Sequence, residues 1–185
     1  GTLQRIQPQQ IQAIRPDAED NCVAGSAFGA ATVMDHDFAF VGAPRTDGVE
    51  SSTGAVHVFQ RGERGAWVPL QTLVPEGLAE DAQFGHQIAV SDSVAIIGTG
   101  AEGAAYVYGL QVDGRWALTQ RLFVEDGAAV GFGQAVSIKG GVAMVGAPFM
   151  TVNGRKSGAV LFYERQANGS WDFAQRIEPN LAHDT

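Results

Sequence analysis

The feature that most limits how this chain can fold is a sequence pattern that occurs three times in its 185 residues. Each copy opens with a Phe-Gly pair, and a glycine that ends an apolar run follows 14 residues after the Phe each time. Each copy later holds a Trp, 8 residues after an aromatic residue and 6 before a Leu or Ile. Self-similarity at a fixed spacing indicates repeated copies of one supersecondary unit.

The segments between these landmarks have the pattern of short strands. In the first copy they are "AATVM", "FAFVGA", "AVHVF" and "VPLQTL", which alternate or run apolar and are rich in β-branched and aromatic side chains. Asp, Ser, Asn and Gly separate them, as in tight turns. Each copy therefore predicts four antiparallel strands, named A to D here. Together they predict an all-β fold of three β-propeller blades.

The landmarks also divide the chain. We predict blade 1 at 28–83, blade 2 at 84–131 and blade 3 at 132–179, with a tail at 180–185. Residues 1–27 hold two stretches, "LQRIQP" and "IQAIRP", that resemble the strand D ending "AQRIEP" of blade 3, followed by a connecting loop. Blade 3 already has its own strand D, so at least one stretch is surplus.

One stretch of the second copy offers a competing interpretation. Residues 98–103 read Gly-Thr-Gly-Ala-Glu-Gly, the G-x-G-x-x-G string of dinucleotide-binding loops. That loop must open a helix, whereas "AAYVYGLQV" follows it here and alternates like a strand. We therefore interpret the string as the second copy's shortened B–C loop.

Charge and hydropathy exclude two classes of partner. The net charge of −8 argues against nucleic acid, which needs clustered Lys and Arg. No window is apolar over the ~18 residues that a membrane span requires. The chain begins Gly-Thr-Leu-Gln without a charged and apolar leader, so a signal peptide is expected to be absent or already removed.

The Phe-Gly pair followed by Val-Gly-Ala-Pro resembles the FG-GAP repeat, the blade unit of the integrin α-chain head and of many secreted bacterial proteins. The resemblance covers residues 28–179 and implies an extracellular or cell-surface location. Integrin-type blades often carry a calcium loop between strands A and B, where this chain has "MDHDF", "VSDSV" and "IKGGV". Because Ca²⁺ needs six to eight converging oxygens, we expect no metal and no cofactor there. Asp47 with Glu50, or Asp113, leaves open a weak Ca²⁺ site elsewhere.

Length varies only in the B–C and D–A connections, which share one end of a blade. Rigid sheets with variable loops favour recognition through those loops, so the candidate surface comprises 45–53, 76–83, 99–103, 125–131 and 149–157. The candidate binding residues there are Arg45, Asp47, Glu50, Asp81, Glu102, Asp126, Phe149, Met150, Asn153, Arg155 and Lys156. The alternative for each of them is that it is a solvated loop residue with no role in binding.

Other landmarks are expected to be structural. The aromatic residues among them suit packing between blades, and the Gly and Pro residues suit turns. They are Phe28, Gly29, Gly42, Pro44, Trp67, Phe84, Gly85, Trp116, Phe132, Gly133, Gly146, Pro148 and Trp171. No histidine has zinc-site spacing and no nucleophile elbow is present, so we expect no catalytic residues and a protein that is not an enzyme.

Two functions remain open at this stage. The first is a recognition or adhesion module that binds a protein or glycan through the variable loops. The second is a self-assembling structural subunit, because propellers close with about four to eight blades and three leave open faces. The chain would then be a homo-oligomer joined by strand addition, or part of a longer propeller.

Overall fold

The computed structural model describes residues 25–46, 52–124, 130–152 and 154–180. Over these ranges the chain forms strands and no helix. The strands are β1 (Ala31–Asp35), β2 (Phe38–Ala43), β3 (Ala55–Arg61), β4 (Trp67–Leu73), β5 (Phe84–Ser91), β6 (Val94–Thr99), β7 (Ala104–Leu110), β8 (Trp116–Phe123), β9 (Ala135–Lys139), β10 (Val142–Ala147), β11 (Thr151–Val152), β12 (Arg155–Lys156), β13 (Ala159–Arg165) and β14 (Trp171–Ile177). The two stretches that resemble strand D, at 3–8 and 11–16, lie outside the described residues, as does most of the connecting loop to residue 27.

Three four-stranded antiparallel sheets form, in the orders β1-β2-β3-β4, β5-β6-β7-β8 and β9-β10-β13-β14. The predicted all-β fold of three four-stranded blades is confirmed. A two-stranded hairpin, β11–β12, is the only addition among the described strands. The third and fourth strands of every blade show a register shift at the same repeat position, next to Phe59, Tyr108 and Tyr163. The three copies therefore share local geometry as well as topology.

The blades pack face to face, through two apolar interfaces. We call the face that meets the preceding blade its leading face, and the face that meets the following blade its trailing face. The trailing face of blade 1, including Phe40, Val56 and Leu73, packs against the leading face of blade 2, including Phe84 and Trp116. The trailing face of blade 2 packs in the same way against the leading face of blade 3. Blade 2 is thus covered on both sides, since alternate residues of its strands point to opposite neighbours.

The Phe-Gly pair is the point of closest approach between blades. A Cβ on Gly133 would lie 2.1 Å from the carbonyl oxygen of Ala104 in blade 2. A Cβ on Gly98 would lie 1.9 Å from the carbonyl oxygen of Gly133. Blades 1 and 2 repeat this contact with Gly42 and Gly85. Both glycines are required because backbone touches backbone and no room remains for a side chain.

In two of the three blades the pair lies before the first strand. In blades 1 and 3 the first strand begins three residues after the Phe, at Ala31 and Ala135. In blade 2 it begins at Phe84, but the register shifts before Gln87. The glycine has a left-handed φ of 88° to 93° in all three copies, which is incompatible with a continuous ladder.

A glutamine joins the outer strands of neighbouring blades. The Gln71 side chain accepts from Trp116 N at 2.8 Å and donates to Trp116 O at 2.9 Å. Gln120 makes the same two bonds to Trp171, both at 2.8 Å. This two-bond contact, which we call the glutamine clamp, substitutes for a missing strand partner along each outer edge.

The Gly133→Ala variant tests the close approach between blades. We expect its free energy of unfolding to fall by about 3–5 kcal/mol, because left-handed strain and overpacking each cost roughly 1–3 kcal/mol. The matched control is Gly114→Ala, at a turn with φ +80° and no atom within 4 Å of the added Cβ. It should lose only about 1–2 kcal/mol from backbone strain. Urea denaturation measures both, and equal losses would contradict the proposed role of the contact.

Candidate functional site

The candidate site is the end of the blades that carries the B–C and D–A connections, which we call the loop face. Since neighbouring strands are antiparallel, the links β2–β3, β6–β7 and β10–β13 emerge at the same end as the links β4–β5 and β8–β9. The opposite end carries only the A–B and C–D hairpin turns. The loop face is therefore the part of the molecule where connections of different length meet.

Blade 3 presents the most structured feature of this face, the β11–β12 hairpin within its B–C connection. Thr151 pairs with Lys156, and Val152 with Arg155. The hairpin is anchored from below, because Met150 and Val152 are buried in the core between blades 2 and 3. The Met150 carbonyl also accepts hydrogen bonds from Ser157 N and Gly158 N. A short hairpin is thus held in a fixed place by its apolar side chains.

The burial of Met150 corrects one sequence expectation. The residue was a candidate for ligand contact, but its side chain is 1% exposed and serves as an anchor of the core. Its position next to a variable loop gave no indication of this, since the hairpin that turns it inwards has no signature in the sequence.

The same connection also carries exposed side chains. Arg155 and Lys156 are both exposed. Phe149 is 49% exposed, and its ring edge lies over Gly131 of the preceding D–A connection. Phe149, Arg155 and Lys156 are therefore exposed residues of one B–C connection, in a chain whose net charge is −8.

The remaining candidates are more dispersed. Arg45 and Asp81 are exposed residues of separate connections, and the Arg45 backbone N–H donates to Ser26 O. Four candidates, Asp47, Glu50, Asp126 and Asn153, lie outside the described residues.

Glu102 is used inside the protein. Its side chain is 6% exposed and forms a salt bridge with Arg121, with Nη2 to Oε1 at 2.7 Å. The Tyr106 hydroxyl donates to both carboxylate oxygens, at 3.0 and 3.1 Å. The Arg121 guanidinium also lies over the Tyr106 ring, 5.9 Å from its centroid. A carboxylate satisfied in this way is a poor candidate for binding a ligand, and it fixes the B–C loop to strands β7 and β8.

The G-x-G-x-x-G string of blade 2 lies in this short loop and opens strand β7, not a helix. Thr99 closes the loop: its Oγ1 donates to Ala104 O at 2.9 Å and accepts from Ala104 N at 3.1 Å. The competing dinucleotide interpretation therefore lacks the helix on which it depends.

The aromatic landmarks are buried in blades 2 and 3 but partly exposed in blade 1. Phe84 and Phe132 are fully buried, and so are Trp116 and Trp171. Trp116 meets two phenylalanines of blade 1 edge-on, with centroid distances of 5.5 Å to Phe38 and 4.9 Å to Phe40. Phe28 and Trp67 hold the equivalent positions in blade 1 and remain partly exposed.

Within the described ranges, no three residues among His, Cys, Asp and Glu cluster in a way that could hold a metal ion. Nor do these ranges contain a helix with the length and apolarity that crossing a membrane would need.

The repeat has a match among known families. Residues 116–163 match the family model of the FG-GAP repeat. The matched segment begins at strand β8 of blade 2 and ends in strand β13 of blade 3, so it spans a blade interface with its Phe-Gly pair. The chain therefore carries an FG-GAP repeat in an architecture of propeller blades, as its sequence resemblance implied. No curated protein matches the chain in sequence.

The chain is also similar to solved structures. The chain is similar to a protein from Lactobacillus plantarum with 13% identity and a TM-score of 0.55, over 83% of this chain and 43% of that one. A hypothetical selenium-binding protein from Sulfolobus tokodaii gives 11% identity and a TM-score of 0.48, over 77% and 38% of the two chains. The first likeness shows a propeller-type fold. This chain spans about two fifths of the length of these proteins.

All three tyrosines of the chain are buried in blade interfaces, which predicts an unusual alkaline titration. Burial raises the pKa of Tyr163 to about 12. Burial, and after it the Glu102 carboxylate, raise the pKa of Tyr106 still further. Burial and the neighbouring Tyr106 do the same for the pKa of Tyr108. Absorbance of the native protein should show no phenolate at pH 10, whereas the urea-unfolded chain should titrate near pH 10.

The same shifts make the fold sensitive to alkali. Above pH 10 the unfolded state releases tyrosine protons that the folded state keeps. The contribution of the buried, protonated tyrosines to the free energy of unfolding is therefore complete below pH 10. It is lost as the pH rises from 10 towards 12 and beyond. Urea midpoints measured between pH 8 and 11.5 should fall only above pH 10. A native phenolate signal near pH 10 would contradict the burial of the tyrosines.

Proposed function

We propose that this chain is a non-enzymatic recognition module of the cell exterior that binds a protein or glycan through its loop face. The assignment to binding or structural modules rests on the fold, since FG-GAP repeat propellers typically have these roles. The extracellular location and the ligand class follow from the family resemblance and from the chemistry of the loops.

The observation that carries the proposal is the β11–β12 hairpin. Its buried residues Met150 and Val152 fix it to the core, so Arg155 and Lys156 are displayed at little further entropic cost when a ligand binds. Two cations on an anchored hairpin, in the same connection as an exposed ring, suit a ligand that carries carboxylate or sulfate groups together with an apolar surface. The blade itself does not need the insert, because blade 2 connects the same strands through the short link 100–103.

The test compares two double variants of equal charge in blade 3. Arg155→Ala with Lys156→Ala removes the hairpin cations, whereas Lys139→Ala with Arg165→Ala removes two exposed cations near the opposite end of the blade. Immobilised heparin represents a sulfated glycan, and poly-glutamate represents an acidic protein segment. We expect one of the two probes to bind the native chain and the hairpin variant to bind it at least about 10-fold more weakly. A 10-fold weaker affinity corresponds to a loss of about 1.4 kcal/mol in binding free energy.

The control variant should bind within about 2-fold of the native chain at the same salt concentration. Phe149→Ser should weaken binding without changing net charge, which separates the contribution of the ring from that of the cations. Equal losses in the two double variants would indicate unspecific attraction between charges and contradict the proposal. The proposal would also fail if neither probe bound.

A further inference from the structure

Two blade faces have no neighbour among the described blades: the leading face of blade 1 and the trailing face of blade 3. Residues at the same repeat position show the difference. Phe84 and Phe132 are fully buried, whereas Phe28 of blade 1 is 46% exposed. Leu73 and Leu122 are 3% exposed, whereas Ile177 of blade 3 is 50% exposed. Large apolar groups that are covered in two copies are thus open in the third.

The open face of blade 3 has an open pocket at the repeat position where a Phe of the following blade packs in the inner interfaces. Between blades 1 and 2, Phe84 lies beside Thr53 and Gly54, and its N–H donates to Thr53 O at 2.8 Å. The equivalent residues of blade 3 are Ser157 and Gly158, and they line a cavity of about 440 Å³ together with Ile177. The cavity therefore corresponds to the slot for the Phe of a following blade.

The open face of blade 1 carries the matching projection. Phe28 has the same repeat position as Phe84 and stands at the rim of an apolar groove of about 430 Å³. Met34, Phe59 and Trp67 also line this groove. In blades 2 and 3 the equivalent surface is covered by the preceding blade.

The glutamine clamp is likewise present as two separate halves. Gln175 has the repeat position of Gln71 and Gln120, is exposed, and makes no side-chain hydrogen bond within the described part of the chain. Trp67 has the repeat position of the two clamped tryptophans, and no described glutamine reaches its backbone.

The glycine contact is divided between the same two faces. A Cβ on Gly29 would meet no atom within 4 Å, and one on Gly146 would meet only Ala135 of its own blade. In the inner interfaces the equivalent glycines are in backbone contact. The Phe slot, the clamp and the glycine contact thus each place one half on blade 1 and the complementary half on blade 3.

We propose that a second copy of this chain docks its blade 1 leading face onto the blade 3 trailing face of the first, with Phe28 entering the cavity at Ser157 and Gln175 clamping Trp67. The interface continues the two already present within the chain. A head-to-tail contact of this kind closes a ring when the rotation permits, and two copies supply six blades, within the range of known propellers. This proposal is independent of the loop-face function.

The experiment uses the full chain and two exposed substitutions. Phe28→Asp disables the leading face, and Ile177→Asp disables the trailing face. Sedimentation equilibrium should show the native chain as a dimer, and each variant should dissociate at least about 100-fold more readily, as for a buried interface hot spot. Mixing the two variants should give a one-to-one complex held by one unchanged interface, because each supplies the face that the other lacks.

The control is Val112→Asp, a fully exposed apolar residue of the C–D turn of blade 2, which should leave the dimer intact. Circular dichroism checks that every variant keeps its sheets. A native chain that stays monomeric at all concentrations would overturn the proposal, and so would coverage of the blade 1 groove by another segment of the same chain. Failure of the two variants to combine would exclude a head-to-tail contact.

Discussion

The structure depends on the place where the Phe-Gly pair of one blade meets the backbone of the blade before it. The glycine lets two main chains touch, and this contact sets the distance at which the Phe can fill its slot and the Trp can reach the preceding core. Since interiors are close-packed, an approach set by backbone atoms leaves little freedom for the surrounding side chains. The regular stacking of the blades follows from this one contact.

Much of this could be predicted from the sequence because the chain repeats itself. The spacing from Phe28 to Gly42 recurs in the other two copies and reflects a fixed pair of strands. The alternating pattern around Tyr106 predicts a strand, which excludes the helix that a dinucleotide site needs. The glutamine clamp was missed, although Gln71, Gln120 and Gln175 recur at one position after each Trp. A recurring polar residue on an outer strand looks like a solvated one until the backbone that it bonds is seen.

The candidate site was harder to predict, for a physical reason. Loop residues were grouped by chain position, but their availability depends on side-chain direction and on local partners. Glu102 looked free and is held by Tyr106 and Arg121, and Met150 looked accessible and is buried. A short hairpin such as β11–β12 has too few residues to show a period. Its sequence therefore does not show that Met150 and Val152 are buried while Arg155 and Lys156 are exposed.

The glutamine clamp has a consequence for how the array comes apart. Each blade is bonded at its outer rim only to its immediate neighbours, so loss of one end blade leaves the next interface chemically unchanged. In arrays of this kind cooperativity passes from neighbour to neighbour, and disruption starts where a unit has one neighbour and not two. Within a single chain, disruption therefore starts at blade 1 or blade 3, and blade 2, which has a neighbour on each side, opens last.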